Sequence, residues 1–511
     1  MKNRTQKALF GFISDVGGTI ALTVVTFIAA PIILKLTSET LYGFWITTIS
    51  ILGYLALTDL GLGISLTRFI AAEASKGVSK NLNSLINTAL IAFTGVGFIF
   101  FIIGMSISSY IPLWFKIPPH ESIIVLSAYR VAIISGALAL PLSIFKSIVV
   151  GFQQMAVINI SNNIISIISV GLSIILLYFG VGLIALPLAS LFTVFFGSFV
   201  SYIYSKKYFP ELNFKFSYFN IKDLKRLLNF GGFFQLGRVA NTVALSSDNI
   251  IIAGSVGAAN VVPYSFTSKL PILFSVSLAS KLPNAIFPAL TEMFANNEMD
   301  KLRQSYKRLT FFAVRMALFG GALIFIVNPI FVKLWVGDEY YGGNVLNLIF
   351  VLWAIFDTIY RGTTSIIYAS GDLKRWTIAT SLEAIFNLFI SLILIGPFGI
   401  VGVALGTLIS KLLTTGFYTP WLVCDKIDLK LKELLYNSII PPIIRSLPSI
   451  FVTFIISYYL PLELDWLWII IITSILVITN FLMFEVIALI KTPTESIKSK
   501  LLRLILLKEE Y

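Results

Sequence analysis

The sequence predicts an all-α polytopic membrane protein with about fourteen transmembrane helices. Of its 511 residues, 57% are hydrophobic and only 12% are charged, and the mean hydropathy is +0.90. A soluble domain carries about 25% charged residues. Apolar runs near the roughly 20 residues that a helix needs to cross a bilayer recur along the whole chain. The segments between these runs are short, which leaves no room for a soluble catalytic domain.

The apolar runs define the predicted helices in chain order. The first run follows a basic start, as in a signal peptide, but Asp15 interrupts its core and it continues to Leu34, so we interpret it as a retained helix. The connection at 180–183 is tight, whereas those at 205–226 and 288–308 are long and basic. The predicted spans are 11–34, 42–67, 84–107, 122–146, 157–179, 184–205, 229–254, 260–285, 309–332, 345–368, 376–396, 399–423, 438–460 and 466–489.

Lysine and arginine are distributed unevenly between the predicted loops, and this asymmetry indicates the orientation. With the N-terminus in the cytoplasm, most of the 38 Lys and Arg residues fall in cytoplasmic segments, and the external loops hold only Lys35, Lys116 and Lys333. We therefore expect a multi-pass protein of the plasma (inner) membrane with both termini in the cytoplasm. The net charge of +13 then reflects topology and contact with anionic lipid headgroups rather than binding to nucleic acid.

An internal repeat with an offset of about 220 residues divides the chain. Gly151, after span 4, matches Gly371, after span 10, and Gly182 matches Gly402. Spans 1–6 and 7–12 are therefore expected to form two six-helix lobes, with two helices appended. The predicted domains are an N-terminal lobe at 1–205, a basic cytoplasmic linker at 206–228, a C-terminal lobe at 229–424, and the last two helices with a basic tail at 425–511.

Residues suited to enzyme chemistry or metal binding are scarce. Cys424 is the sole cysteine and His120 the sole histidine, which excludes an intramolecular disulfide and a site built on several His or Cys ligands. The sequence contains no Walker A, HExxH or GxSxG motif. We expect no cofactor and no enzymatic activity.

Charged residues inside the apolar spans are the main functional candidates. A charge there costs about 2.5–3.5 kcal/mol and usually faces a bundle interior or a water-filled cavity. Guanidinium and ammonium groups suit phosphate or acidic sugars, and a carboxylate can balance charge or bind H⁺ or Na⁺. The basic residues predicted to line a hydrated substrate cavity between the lobes are Arg130, Arg238, Lys269 and Lys411. The residues predicted to couple an ion or to balance charge in that cavity are Asp59, Asp248, Asp357 and Arg361.

Sequence spacing distinguishes among the acidic candidates. Asp357 and Arg361 stand four apart on one helix face and are expected to pair, either as a structural lock or as part of the cavity. Asp59 and Arg68 stand nine apart, about 180° around one helix, so Asp59 needs a partner on another helix or in water. Asp59 is then either an ion-coupling carboxylate or half of a static ion pair.

Two spans of the second half have unusual sequences. Span 260–285 repeats SKLP at 268–271 and 280–283, and proline removes a helical hydrogen bond, so we expect a bent helix with Lys269 beside the bend. Span 229–254 carries a polar stripe, which predicts either a wet face or hydrogen bonds between helices. The stripe consists of Gln235, Arg238, Asn241, Thr242 and Asn249, with Asp248 close by.

Three segments carry a family resemblance. They are LTSETLYGFWITTISILGYLALTDLGLG (36–63), the GFQQ turn (151–154) and NFGGFFQLGRVANTVALSSDNIIIAGSVGAANVVPYSF (229–266). They resemble the polysaccharide and oligosaccharide flippases of the multidrug/oligosaccharidyl-lipid/polysaccharide exporter superfamily, and span count and loop layout extend the resemblance over the whole chain.

This resemblance implies a V-shaped pair of lobes that works by alternating access. The implied cargo is a polyprenyl-diphosphate-linked oligosaccharide, such as an O-antigen, capsule or exopolysaccharide repeat unit, moved from the inner to the outer leaflet. An H⁺ or Na⁺ gradient is the implied driving force, and the resemblance also allows a polymerase or chain-length complex as a partner.

Two alternatives stay open at this point. A multidrug or small-cation antiporter of the same superfamily would prefer an acidic, aromatic pocket, and such proteins usually have twelve spans. A membrane polysaccharide polymerase or ligase would need a large external loop with catalytic residues, which the sequence does not offer.

The orientation predicts which positions a reagent outside the cell can reach. After replacement of Cys424, a cysteine at Ser217 should resist an impermeant thiol reagent in intact cells, because segment 205–226 is expected in the cytoplasm. A cysteine at Ser122, next to the external His120, should react. The reverse labelling pattern would contradict the orientation.

Overall fold

Helices account for almost all of the chain that the structure covers. This computed structural model describes residues 2–58, 61–74, 80–371, 373–459, 465–467 and 469–478. Within those ranges, nine helical stretches are long and apolar enough to cross a membrane. The prediction of an all-α polytopic membrane protein is therefore confirmed.

The helices follow one another with short connections. A short apolar helix at Ile469–Ile478 comes last in the described chain. The helices before it are α1 Lys2–Leu36, α2 Glu39–Thr58, α3 Leu62–Ala74, α4 Lys80–Ile107, α5 Ser122–Gly151, α6 Met155–Tyr178, α7 Ala185–Tyr208, α8 Ile221–Val256, α9 Val261–Ile272, α10 Lys281–Ala295, α11 Met299–Trp335, α12 Asn344–Ser370, α13 Lys374–Lys411, α14 Phe417–Lys426 and α15 Ile440–Tyr459.

Packing groups the helices into two compact units. The first comprises Met1–Val262 with Thr380–Val403, and the second comprises Pro263–Ala379 with Ala404–Tyr511. Helix α8, which the sequence places at the start of the second lobe, packs against α2 within the first unit. The division into two six-helix lobes stays a prediction.

Glycine and proline interrupt two of the predicted spans and mark the boundary between two others. Span 42–67 is two helices, α2 and α3, and Gly61 before α3 has a φ of 74°, which favours glycine. Spans 376–396 and 399–423 meet within α13 at a kink where Gly399 has φ 55° and ψ −138°. In span 260–285 a π-helical segment follows Pro271 and lies between α9 and α10, while the expected bend beside Lys269 stays a prediction.

Helix α8 begins eight residues before the predicted span at 229. Asn220 has an extended backbone, and its side-chain oxygen accepts a hydrogen bond from the Lys222 N–H at 2.9 Å. Asp223 places a negative charge in the first turn, which favours a helix start. Hydropathy missed this start because the first turn is polar, although the capping residues were visible in the sequence.

Each unit has its own core at one end of its helices. In the first unit, Leu66 of α3, Ile86 of α4 and Ile148 of α5 are fully buried together with Phe209, which follows α7. In the second unit, Tyr306 of α11 and Ile366 of α12 are fully buried with Leu422 of α14. The core of the second unit also contains Trp376 of α13, so it anchors α12 and the start of α13, which carry the charged site described below.

A small residue allows one close approach in the first unit. A Cβ added at Gly43 of α2 would overlap the backbone carbonyl oxygen of Ala258, in the turn that follows α8. Small residues let helix backbones approach closely in membranes, where packing rather than the hydrophobic effect drives association. Gly43 is therefore needed for the packing of α2 on the end of α8.

Two glycine substitutions test this contact. We expect Gly43→Ala to lower the thermal midpoint of the purified protein, because the overlapping atom is backbone and cannot rotate away. Gly95→Ala in α4 is the matched control, since its added Cβ meets nothing within 4 Å and alanine favours the helix by about 1 kcal/mol. Equal midpoints for the two variants would contradict the packing argument.

Candidate functional site

A buried ion pair on α12 is the starting point of the candidate site. Arg361 Nε donates a hydrogen bond to Asp357 Oδ2 at 2.7 Å, one helical turn apart. The pair that the sequence predicted from the spacing of four residues is therefore confirmed. The Asp357 side chain is almost fully buried, at 4% exposure, so its charge requires internal partners.

Lys411, the last residue of α13, provides the second partner of this carboxylate. Its Nζ lies 3.1 Å from Asp357 Oδ1, and its side chain is 5% exposed. Each carboxylate oxygen therefore contacts a different cation. The sequence predicted Lys411 as a cavity residue but did not predict this contact, because Lys411 is 54 residues from Asp357 and 50 residues from Arg361.

Aromatic side chains form a second layer around Lys411. The Lys411 Nζ lies 4.5 Å from the centre of the Tyr360 ring, within the range of a cation–π interaction. Trp376, near the start of α13, donates its indole N–H to the Tyr360 hydroxyl oxygen at 2.9 Å. Tyr368 packs edge-on against the same indole ring. These aromatic groups join both ends of α13 to α12.

The charge balance of the cluster favours an anionic ligand. Asp357, Arg361 and Lys411 sum to one positive charge. The Arg361 side chain is 25% exposed, and within the described part of the chain Nε is its only nitrogen in a hydrogen bond. The two terminal nitrogens are therefore available, and a guanidinium fork binds phosphate or carboxylate through two parallel hydrogen bonds.

Sequence reasoning missed Tyr360 and Trp376 because it considered only charged residues. Tyr360 stands next to Arg361, and an aromatic residue between two charged positions of an apolar span was a usable signal. No sequence pattern linked Trp376 to Tyr360, because their hydrogen bond depends on how α13 folds back along α12.

A second polar contact joins α2 and α8 in the first unit. Asn249 Nδ2 donates to Ser50 Oγ at 3.0 Å, which is a hydrogen bond between helices. Asp248 is buried at 7% exposure, and Tyr54 of α2 lies within electrostatic range of it. For Asn249, the structure favours hydrogen bonding between helices over a wet face, whereas the side chains of Gln235, Arg238 and Asn241 lie outside the described ones.

Two other predicted basic residues, Arg130 and Lys269, have described side chains. Arg130 of α5 is exposed in the first unit, and its Nε lies 3.4 Å from Ser108 Oγ. Lys269 of α9 is exposed in the second unit and has no described hydrogen bond or ion pair. Of the predicted site residues whose side chains the structure describes, it brings together Asp357, Arg361 and Lys411.

Asp59 lies outside the described residues, between α2, which is described to Thr58, and α3, which begins at Leu62. Its expected geometry relative to Arg68 stays a prediction. The coupling role of Asp59 stays a prediction.

The chain is similar in sequence to several known proteins. A family model described as "Polysaccharide biosynthesis protein" matches residues 9–294. A Shigella flexneri protein named "Putative O-antigen transporter" is 22% identical over 386 residues, which cover 74% of this chain and 90% of that protein. The uncharacterized membrane protein EpsK of Bacillus subtilis (strain 168) is 22% identical over 428 residues, covering 81% and 82%.

Solved structures share the fold. An inward closed structure of the lipid II flippase MurJ aligns with a TM-score of 0.68 and 16% identity, covering 95% of this chain and 99% of that one. An inward-facing structure of a multidrug resistance MATE family transporter of the MOP superfamily aligns with a TM-score of 0.65 and 15% identity, covering 80% and 94%. At these identities the likeness shows the fold alone.

The ion cluster predicts a specific pattern of stability. Asp357→Leu should strongly lower the thermal midpoint, because a buried cation left without its partner costs about 3–5 kcal/mol. Adding Lys411→Met should restore most of the loss, since an apolar pair of similar volume often replaces a buried ion pair without cost. Arg361→Gln should have a smaller effect, because the contact of Asp357 with Lys411 remains. An unchanged midpoint in Asp357→Leu would contradict the structural role of this carboxylate.

Proposed function

The chain belongs to the polysaccharide biosynthesis protein family, and we propose that it is a flippase for polyprenyl-diphosphate-linked oligosaccharides. In this proposal it moves a polysaccharide repeat unit from the inner to the outer leaflet of the plasma (inner) membrane by alternating access. Its termini face the cytoplasm, and an H⁺ or Na⁺ gradient drives transport.

The cluster on α12 and α13 is the observation that most directly supports this function. A diphosphate headgroup carries negative charge into a region where an isolated charge is costly. Two cations that share one carboxylate offer an excess positive charge, and Arg361 has its fork partly exposed. A ligand phosphate can bind Arg361 while Asp357 keeps Lys411 in place.

The proposal also assigns roles to the other charged residues that the sequence predicted. Arg130, Arg238 and Lys269 are proposed to contact the diphosphate or acidic sugars along the path. Asp59 and Asp248 are the proposed ion-coupling carboxylates, since a carboxylate that is charged in one state only can link ion flow to cargo movement.

An antiporter for drugs or small cations is the alternative that the fold allows, because a MATE transporter shares the fold. The charge balance favours the flippase. A cationic cargo would have to approach a cluster whose partly exposed group is a guanidinium, and like charges repel strongly at low dielectric.

Reconstituted vesicles test the function. The purified protein should increase the rate at which a polyprenyl-diphosphate-linked oligosaccharide crosses the bilayer, measured by its exposure to an impermeant sugar-modifying enzyme. Arg361→Gln should lower this rate roughly tenfold to hundredfold, because a hydrogen bond to a charged group contributes about 1.5–3 kcal/mol. Arg361→Lys should rescue only in part, because lysine lacks the fork.

A matched control separates this effect from a general loss of positive charge. Arg375 pairs with Asp425 at 3.2 Å, both side chains being about half exposed, so Arg375→Gln should transport at nearly the wild-type rate. If the wild-type transport rate does not change when an H⁺ or Na⁺ gradient is imposed, that result would contradict ion coupling. A wild-type rate in Arg361→Gln would remove Arg361 from cargo recognition, and an unaccelerated wild type would contradict the flippase assignment.

A further inference from the structure

Side chains of α4 hold the segment between α7 and α8 in place. The Asn83 side-chain oxygen accepts from the Asn213 N–H at 3.0 Å. One helical turn later, the Asn87 oxygen accepts from the Lys215 N–H at 3.0 Å, and its amide donates to the Asn213 carbonyl at 2.7 Å. The two amides thus satisfy backbone groups that no helix pairs. These hydrogen bonds therefore hold the backbone of the segment in a fixed position.

Burial and capping secure both ends of this segment. Phe209 and Leu212 are fully buried in the core of the first unit. At the other end, Ser84 Oγ donates to Asp223 Oδ2 at 2.6 Å, in the first turn of α8. The residues from Phe214 to Lys225 consequently lie between or next to these fixed positions.

This segment follows one candidate membrane span and packs on the start of another. The candidate span that contains α7 ends at Tyr208, and the one that contains α4 begins at Leu82, close to Asn83 and Asn87. A segment between two such span ends is expected at the boundary between hydrocarbon and headgroups, where aromatic and basic residues are enriched.

The exposed residues from Phe214 to Lys225 combine apolar and basic side chains. Ile221 is 53% exposed, and two phenylalanines near it are each exposed by about 40%. Three lysines of the same stretch are exposed, and the described residues place none of them in an ion pair. These six residues form what we call the linker surface: Phe214, Lys215, Phe219, Ile221, Lys222 and Lys225.

We infer that the linker surface binds anionic phospholipid headgroups, with its apolar side chains inserted among the upper acyl chains. The charge is complementary, since clustered lysines immediately next to a transmembrane helix attract anionic lipids. Exposed phenylalanine and isoleucine side chains at the membrane interface would contact hydrocarbon. A soluble acidic partner would not provide that contact. The fixed backbone makes this a defined site, and it is separate from the cluster on α12 and α13.

Lipid titration of the full-length protein tests this inference. The probe is phosphatidylglycerol added to protein in neutral detergent, with retained lipid measured by native mass spectrometry and the thermal midpoint measured in parallel. Phosphatidylcholine is the uncharged reference. We expect K215Q/K222Q/K225Q to bind phosphatidylglycerol on the order of 100-fold more weakly than wild type, with binding by wild type also falling as salt increases.

The matched control removes the same charge elsewhere. K301Q/K374Q/K430Q changes three exposed lysines from segments that the topology also places in the cytoplasm, and one of them, Lys301, is already paired with Glu298. This control should bind phosphatidylglycerol as wild type does. Equal losses in the two triple variants, or equal binding of phosphatidylcholine and phosphatidylglycerol by wild type, would overturn the inference.

A competition experiment distinguishes a phospholipid from the cargo headgroup. Polyprenyl diphosphate should leave the retained phosphatidylglycerol unchanged. Displacement of that lipid in wild type at equal concentration would instead assign the linker surface to the diphosphate and overturn the inference. These outcomes are independent of the flipping rate, so failure here leaves the proposed function testable on its own.

Discussion

One carboxylate, Asp357, determines the arrangement of the helices around the candidate site. It is nearly excluded from solvent and contacts Arg361 on its own helix and Lys411 at the end of α13. Because an unpaired charge at this depth is so costly, α13 must run where its last residue reaches this carboxylate. Tyr360 and Trp376 then connect the start of α13 to the same region. The need to pair the Asp357 carboxylate holds Lys411 in place, and the guanidinium fork of Arg361 stays partly exposed.

Glycine and proline mark the interruptions of the helices. Gly61 separates α2 from α3, Gly399 kinks α13, and Pro271 precedes the π-helical segment after α9. Each residue either tolerates a backbone conformation that others avoid or lacks a helical hydrogen bond. Gly399 lies at the boundary between two predicted spans, whereas Gly61 and Pro271 lie inside predicted spans that hydropathy alone treated as continuous.

The sequence predicted features that depend on composition or on local spacing. Apolar runs predicted the helices, and the spacing of Asp357 and Arg361 predicted their pair. Contacts distant in sequence could not be predicted this way, such as that of Lys411 with Asp357, because they depend on how α13 folds back. The early start of α8 could have been predicted, because Asn220 is a typical N-cap residue, but a hydropathy pattern does not detect caps.

The account depends on recognition of a diphosphate by a cluster with excess positive charge. The most direct measurement compares the affinity of the purified protein for a polyprenyl diphosphate and for the uncharged polyprenol of the same chain length. We predict at least tenfold tighter binding of the diphosphate, because two charge-assisted hydrogen bonds to one guanidinium are lost with the polyprenol. The difference should largely disappear in Arg361→Gln. Equal affinities for the two lipids in wild type would contradict the central claim.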